Sequence, residues 1–234
     1  DKECGATAQL LYGGLTKVKA ERWLQKLMLK KHERQQIPSG EQYEFLRRVV
    51  MRCVAEARES DADAKYRSEP LRFMLHGLPG TGKSRTLKWL REFFEEVNGW
   101  THGVEFVYLA SQNTMAALIG GNTLHSYNKI DFMDTEGKKI VTKKSNKKDM
   151  SDLFLRYERL RWMFIDEAST GSLEVLADIN HHTTTYIRKR GTWAMRSKDE
   201  VRPFGGQNVG FTGDMWQFPP VRATAIFSNP LKIK

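Results

Sequence analysis

The stretch Gly77-Leu78-Pro79-Gly80-Thr81-Gly82-Lys83-Ser84 constrains this chain more than any other. It matches the phosphate-binding pattern of Gly, four residues, then Gly-Lys-Ser/Thr. The glycines let successive backbone N–H groups face one anion, Lys83 can reach the terminal phosphates, and the Ser84 hydroxyl can hold Mg²⁺. The flanks agree with that reading. Upstream, Leu71 to His76 is a short apolar run that predicts a buried strand. Downstream, Leu87, Leu90, Phe93 and Phe94 recur at helical spacing. A strand, a glycine loop and a helix place the bound anion at a helix N-terminus, where the dipole favours it. A plain glycine turn with a solvent lysine does not explain these flanks. The ligand implied is a nucleoside triphosphate.

Hydrophobic residues make up 40% and charged residues 28% of the 234, which excludes wholesale disorder and predicts one sizeable domain, or one with a small appendage. The two cysteines, Cys4 and Cys53, cannot build a disulfide framework and suit a reducing compartment. No apolar run approaches the roughly 18 residues of a membrane span, so no membrane partner is expected. The net charge of +10 is clustered. Lys17 to Arg34 carries seven basic and two acidic residues, Lys138 to Lys148 carries six lysines, and Arg188 to Arg202 carries six basic and two acidic. Such a field attracts a polyanion, nucleic acid above all, although lysine runs also occur as solvated loops.

Residues 15–36 read as a basic amphipathic helix with Val18, Leu24, Leu27 and Met28 as its apolar stripe. Ile37-Pro38-Ser39-Gly40 breaks it, and a second helix is expected from about Glu41 to Glu59, packing through Tyr43, Phe45, Leu46, Val49, Val50 and Val54. Beyond the glycine loop, Val104–Ala110 is a strand and Met115–Ile119 a short helix ended by Gly120-Gly121. The lysine-rich stretch from about Phe132 to Asp149 has no periodicity and reads as an exposed loop. Asp152–Leu160 is helical in pattern, Trp162–Ile165 a buried strand, Ser172 to about Ile187 a helix, and Asn208–Thr212 a final strand. Strands alternating with helices imply a mainly parallel sheet that binds its ligand at the carboxyl ends of the strands.

Polar residues follow those strands. Asp166 directly after four apolar residues suits Mg²⁺ binding near Ser84, and Glu167 beside it suits a general base that polarises the attacking water. The last strand runs into Gly213-Asp214-Met215-Trp216-Gln217-Phe218-Pro219-Pro220-Val221. Gln217 can sense a γ-phosphate through its amide. The aromatic and proline surface beside it can meet nucleic-acid bases, or can pack Trp216 and Phe218 into the core; the residues alone support both readings.

Several stretches then agree, in order and spacing, with one family. They are Gln42 in Ser39-Gly40-Glu41-Gln42; Ala110 to Ser126 with its Gly120-Gly121-Asn122-Thr123-Leu124-His125-Ser126; Phe164-Ile165-Asp166-Glu167-Ala168-Ser169; Pro203-Phe204-Gly205-Gly206; and Gly213-Asp214 with Gln217 and Pro219-Pro220-Val221. From Ser39 to Val221 the chain resembles the first RecA-like motor domain of the Pif-type (petite integration frequency) DNA helicases of superfamily 1B. Where that family usually has Thr-Gly, this chain has Gln112-Asn113, two amides able to donate to phosphate, with Asn113 tolerant of a left-handed turn. Met215 and Phe218 stand where Phe and Leu are usual.

The resemblance implies an α/β, RecA-like P-loop NTPase domain over 39–234, with a mainly parallel sheet flanked by helices and an N-terminal helical extension over 1–38. It implies ATP contacts by Gln42, which would read adenine, and by Gly77, Pro79, Gly80, Thr81, Gly82, Lys83, Ser84 and Arg85. Lys83, Asp166, Glu167 and Gln217 would carry catalysis, with Ser84 and Asp166 on Mg²⁺. Gln112, Asn113, Thr123, His125, Phe218 and Pro219 would contact DNA. The activity implied is ATP-driven 5′-to-3′ translocation on single-stranded or forked DNA, in the nucleus or mitochondria. Thirteen residues follow Val221, too few for another fold, so the opposing RecA-like half is expected outside this chain. The other classes consistent with the residues are a P-loop ATPase of different purpose and a nucleic-acid-binding module without a motor.

Overall fold

The computed structural model describes residues 11–29, 37–59, 68–130, 132–133, 139–140, 147–187, 193–197, 199–217, 220, 223–226 and 228. Strand alternation organises it. In β2 (Phe106–Ala110) the side chains of Phe106, Tyr108 and Ala110 join one apolar cluster, while Val107 and Leu109 join another. In β6 (Trp162–Asp166) Trp162 and Phe164 face the first cluster and Met163 and Ile165 the second. Side chains two apart share a face, so a strand buried on both faces must be apolar throughout. That is why these two runs were legible as continuous apolar segments.

The sheet has the order β1-β7-β6-β2-β3 and every pairing in it is parallel. Its remaining members are β1 (Arg72–His76), β3 (Asn122–Thr123) and β7 (Asn208–Gly213). The first face is covered by α1 (Lys17–Leu29), α2 (Gly40–Glu59) and α3 (Lys83–Glu92), the last continuing as a π-helical turn over Phe93–Val97. On the other face lie α5 (Leu124–Asn128), α6 (Lys147–Glu158) and α7 (Leu173–Ile187), while the short α4 (Asn113–Leu118) follows β2. The flanked parallel sheet expected from the sequence is therefore present. No helix among the described residues is long and apolar enough to cross a membrane.

Four expectations change. The stripe of α1 is Ala20, Trp23, Leu24 and Leu27, whereas Val18 is 63% and Met28 37% exposed. Trp23 meets Phe93 with ring centroids 5.1 Å apart, and that large contact sets the helix rotation. β1 is half-exposed rather than buried, because it lies at one edge of the sheet and turns Arg72, Met74 and His76 outward. Within 132–149, Phe132–Met133 (β4) pairs antiparallel with Lys139–Ile140 (β5), and α6 already begins at Lys147. Asn113 opens α4 in a helical conformation and is absent from the residues with positive φ. The basic residues 30–32, 34, 138, 143–144, 188–190 and 198, together with Cys4, lie outside the described residues.

At the amino ends of the strands, a buried carboxylate gathers the fold. Glu56 of α2 is fully buried and accepts from Arg161 (2.8 and 3.1 Å), Arg52 (3.0 Å), Asn208 (2.7 Å) and the Tyr12 hydroxyl. Burial alone would push its pKa up, but the guanidinium charges of Arg161 and Arg52 outweigh that and hold it below the usual carboxylate value. Tyr12 thereby ties the first described residues to the sheet, and the Trp100 indole donates to the Leu11 carbonyl at 2.6 Å. Removing one partner of a buried ion pair typically costs about 3–5 kcal/mol, because the other charge is left unpaired. Glu56→Ala is expected to lower unfolding stability by that order in denaturant titration. A loss below about 1 kcal/mol would show the cluster to be incidental.

Candidate nucleotide site at the strand ends

Parallel register brings four loops to one sheet edge. His76 pairs with Gly213, and Ala110 with Asp166, so the segments after β1, β7, β6 and β2 leave from the same side. The first two are joined directly, since the Gly77 N–H donates to the Gly213 carbonyl at 3.2 Å.

The glycine loop has the backbone its composition allows. Gly80 and Gly82 have φ of 82° and 86°, a left-handed region that costs an L-residue roughly 1–2 kcal/mol. The loop is closed by the Thr81 hydroxyl, which donates to the Leu78 carbonyl at 2.8 Å. Lys83, first residue of α3, donates to the carbonyls of Gly77 at 2.6 Å and Leu78 at 3.2 Å. Its ammonium is thus held across the mouth of the loop. Pro79, Gly80, Thr81 and Ser84 are exposed around it. Arg85 is exposed, with its guanidinium 5.6 Å from the centroid of the Trp89 ring.

Gln42 sits against this loop for two local reasons. The Ser39 hydroxyl accepts from the Gln42 N–H at 3.3 Å while the Gln42 side-chain oxygen accepts from the Ser39 N–H at 2.9 Å, a reciprocal cap at the start of α2. Its amide nitrogen then donates to the Thr81 carbonyl at 2.9 Å.

Asp166 ends β6 as a buried carboxylate and accepts from the Thr212 hydroxyl of β7. Glu167 follows with φ 50° and ψ 45°, and its Oε2 is buried with no hydrogen-bond partner among the described residues. Burial first, then the charges of Asp166 and Asp214, raise its pKa above the ordinary value, against an opposing pull from Lys83. Asp214 was not singled out from the sequence. It is buried, accepts from the Trp216 N–H at 2.9 Å, and lies 3.8 Å from His76 Nε2. An aspartate directly after Gly213 at a strand end was the available signal.

Gln217 donates its N–H to the Asp214 carbonyl at 3.2 Å, which folds the segment into a turn. That turn leaves Trp216 84% exposed, so the core-packing reading fails for Trp216. Phe218 and Pro219 lie outside the described residues. Gln112 and Asn113 are exposed after β2. Thr123 caps α5, accepting from the Ser126 N–H at 3.2 Å, and His125 is half-buried with its pKa lowered by burial, against the charge of Asp178. The described residues expected to meet DNA are spread from the start of α4, with Gln112 and Asn113, to β3 and α5, with Thr123 and His125.

A glycine loop feeding a helix N-terminus, with acidic groups on the neighbouring strands of a parallel sheet, defines a P-loop nucleotide-binding domain. A family profile for PIF1-like helicases matches residues 55–230, and the chain belongs to that family. It is 30% identical over 146 residues to the ATP-dependent DNA helicase RRM3 of Saccharomyces cerevisiae, covering 62% of this chain and 18% of that protein. It is also 30% identical over 152 residues to the ATP-dependent DNA helicase Pif1 of Bdellovibrio bacteriovorus, covering 64% of this chain and 29% of the relative. The chain thus spans less than a third of the length of these curated relatives. Among solved structures, the Pif1 helicase of Candida albicans matches 84% of this chain and 37% of its own with a TM-score of 0.54 and 23% identity. A Bacteroides Pif1 helicase in complex with ADP-AlF3 and ssDNA matches 80% of this chain and 34% of its own, at 0.51 and 22%. The fold is RecA-like.

The Gly82→Ala exchange tests the loop. Its Cβ would fall 2.6 Å from the Gln42 amide nitrogen, in a backbone region that side chains disfavour. The free loop is expected to relax, and nucleotide affinity measured by calorimetry to fall about tenfold, equivalent to the ~1–2 kcal/mol needed to restore it. Unchanged affinity would mean that the left-handed turn is not part of the binding conformation.

Proposed function

We propose that this chain is the first RecA-like motor domain of an ATP-dependent 5′-to-3′ DNA helicase, which hydrolyses ATP to move along single-stranded DNA and open forks. One observation carries the reading: the parallel register brings the glycine loop with Lys83 and the Asp166-Glu167 pair to the same end of the sheet, where the Gly77 N–H donates to the Gly213 carbonyl at 3.2 Å and the Thr212 hydroxyl of the same strand donates to Asp166. The family membership and the relatives named ATP-dependent DNA helicases support it.

Each residue has a role that follows from its chemistry. Backbone N–H groups of 77–84 cradle the phosphates at the N-terminus of α3. Lys83 exchanges its two loop carbonyls for phosphate oxygens. Ser84 and Asp166 supply the hard oxygen donors that Mg²⁺ takes, and the ion would neutralise charge on the β- and γ-phosphates. Glu167, whose Oε2 has no hydrogen-bond partner among the described residues, would accept a proton from the attacking water. Gln42 faces adenine with the hydrogen-bonding capacity left after Ser39 and Thr81, and Gln217 reports on the γ-phosphate. Gln112, Asn113, Thr123 and His125, with Phe218 and Pro219, line the DNA path. A second RecA-like domain from the rest of the protein closes the site from the opposite side.

Glu167→Gln in the full-length protein separates these roles. Nucleotide affinity should stay within about twofold, whereas turnover stimulated by single-stranded DNA should fall about 10²–10⁴-fold, the usual worth of a general base. A raised pKa leaves more of the carboxyl protonated at a given acidic pH. The acid limb of wild-type kcat/KM, which reports the free enzyme, should therefore lie above the ordinary value of 4.5 and be absent from the variant. Turnover indifferent to DNA but raised by a protein partner would replace this reading with that of a non-helicase ATPase.

A further inference from the structure

Glu167 is one of three described non-glycine residues with positive φ, and its neighbour contacts explain how it stays there. The Thr170 hydroxyl oxygen lies 2.8 Å from the Glu167 carbonyl and 3.2 Å from Ser111 Oγ. Threonine has one hydroxyl proton. Directed at the shorter contact, it donates to the Glu167 carbonyl, and the Ser111 hydroxyl donates to Thr170. The result is a chain of two hydroxyls running from the end of β2 to the backbone of the carboxylate. The Thr170 N–H donates to the same carbonyl at 3.0 Å. On the opposite side, a Cβ added at Gly213 would sit 3.1 Å from the Ala168 nitrogen, so the end of β7 packs directly on this turn.

Ser111 is also the residue before Gln112, which caps α4, with the Ala116 N–H donating to the Gln112 carbonyl at 2.9 Å. A nucleic-acid strand held at Gln112 and Asn113 would therefore act one residue away from Ser111. A left-handed non-glycine residue stores roughly 1–3 kcal/mol, which brings a second, relaxed backbone state of Glu167 within reach. Two states close in energy are what a distant ligand can bias.

We infer that Ser111 and Thr170 are positioning residues that couple nucleic acid held at Gln112 and Asn113 to the backbone of Glu167. The inference rests on the motor reading above. Neither hydroxyl touches nucleotide or DNA in this account; both act through Glu167.

The test is a double-mutant cycle in the full-length protein, read as ATP turnover with and without oligothymidylate. Coupling between sites is typically 5–150-fold, so Thr170→Val is expected to lower the DNA-stimulated kcat about tenfold. The ATP KM and the oligothymidylate affinity should stay within about twofold, and thermal stability should be unchanged. Ser111→Ala should behave alike, the double variant should be no worse than the poorer single one, and Thr170→Ser should restore the wild-type rate. A stimulated kcat within twofold of wild type for Thr170→Val overturns the inference, as do losses that multiply in the double variant. Wild-type protein that binds nucleotide but ignores DNA overturns the motor reading, and the inference with it. Intact stimulation that Thr170→Val leaves untouched overturns the inference alone.

Discussion

The Glu56 carboxylate is the contact from which the rest of the molecule is set out. It reaches Arg161 immediately before β6 and Asn208 at the start of β7, and Asn208 Oδ1 in turn accepts from the Leu71 N–H ahead of β1 at 2.7 Å. Three strands are therefore fixed at their amino ends by one buried polar cluster. A carboxylate without its cations would not stay charged in such a place, and the cations would not stay buried without it. Parallel strands with the same starting line end on the same line. The glycine loop, the Asp166-Glu167 pair and the Asp214 turn all emerge there.

That far edge is kept in a poised rather than relaxed arrangement. Lys83 is held by the carbonyls of Gly77 and Leu78, Gln42 by the Ser39 N–H of its cap and the Thr81 carbonyl, and Glu167 by a left-handed backbone braced from Ser111 and Gly213. Each contact can be traded for one to nucleotide or relaxed when nucleotide leaves. Asp166 is the exception. Its hydrogen bond from Thr212 links two central strands and is built into the sheet.

The sequence carried a good deal of this, for physical reasons. The glycine loop is contiguous, so its chemistry is written in order, and the β2 and β6 runs are apolar because both of their faces are buried. The limits lay where the deciding contact is remote in sequence. Nothing local marks Trp23 rather than Met28 as the core residue of α1, since the choice depends on Phe93 seventy residues on. Nor does the apolar run at 71–76 reveal that it forms an edge strand of the described sheet. The bracing of Glu167 depends on Ser111 and Thr170, which are unremarkable until the register of β2 and β6 sets them side by side. Ser39-x-x-Gln42 has the spacing of a capping box, and the same glutamine also meets the glycine loop, a contact 39 residues away that nothing local marks.

The most direct measurement is a structure of this chain with ADP and Mg²⁺. If residues 77–84 are the phosphate cradle, the diphosphate will lie against their backbone N–H groups, and Lys83 Nζ will have left the Gly77 and Leu78 carbonyls for it. Nucleotide bound elsewhere, or not at all, with Lys83 still on those two carbonyls, would contradict the account.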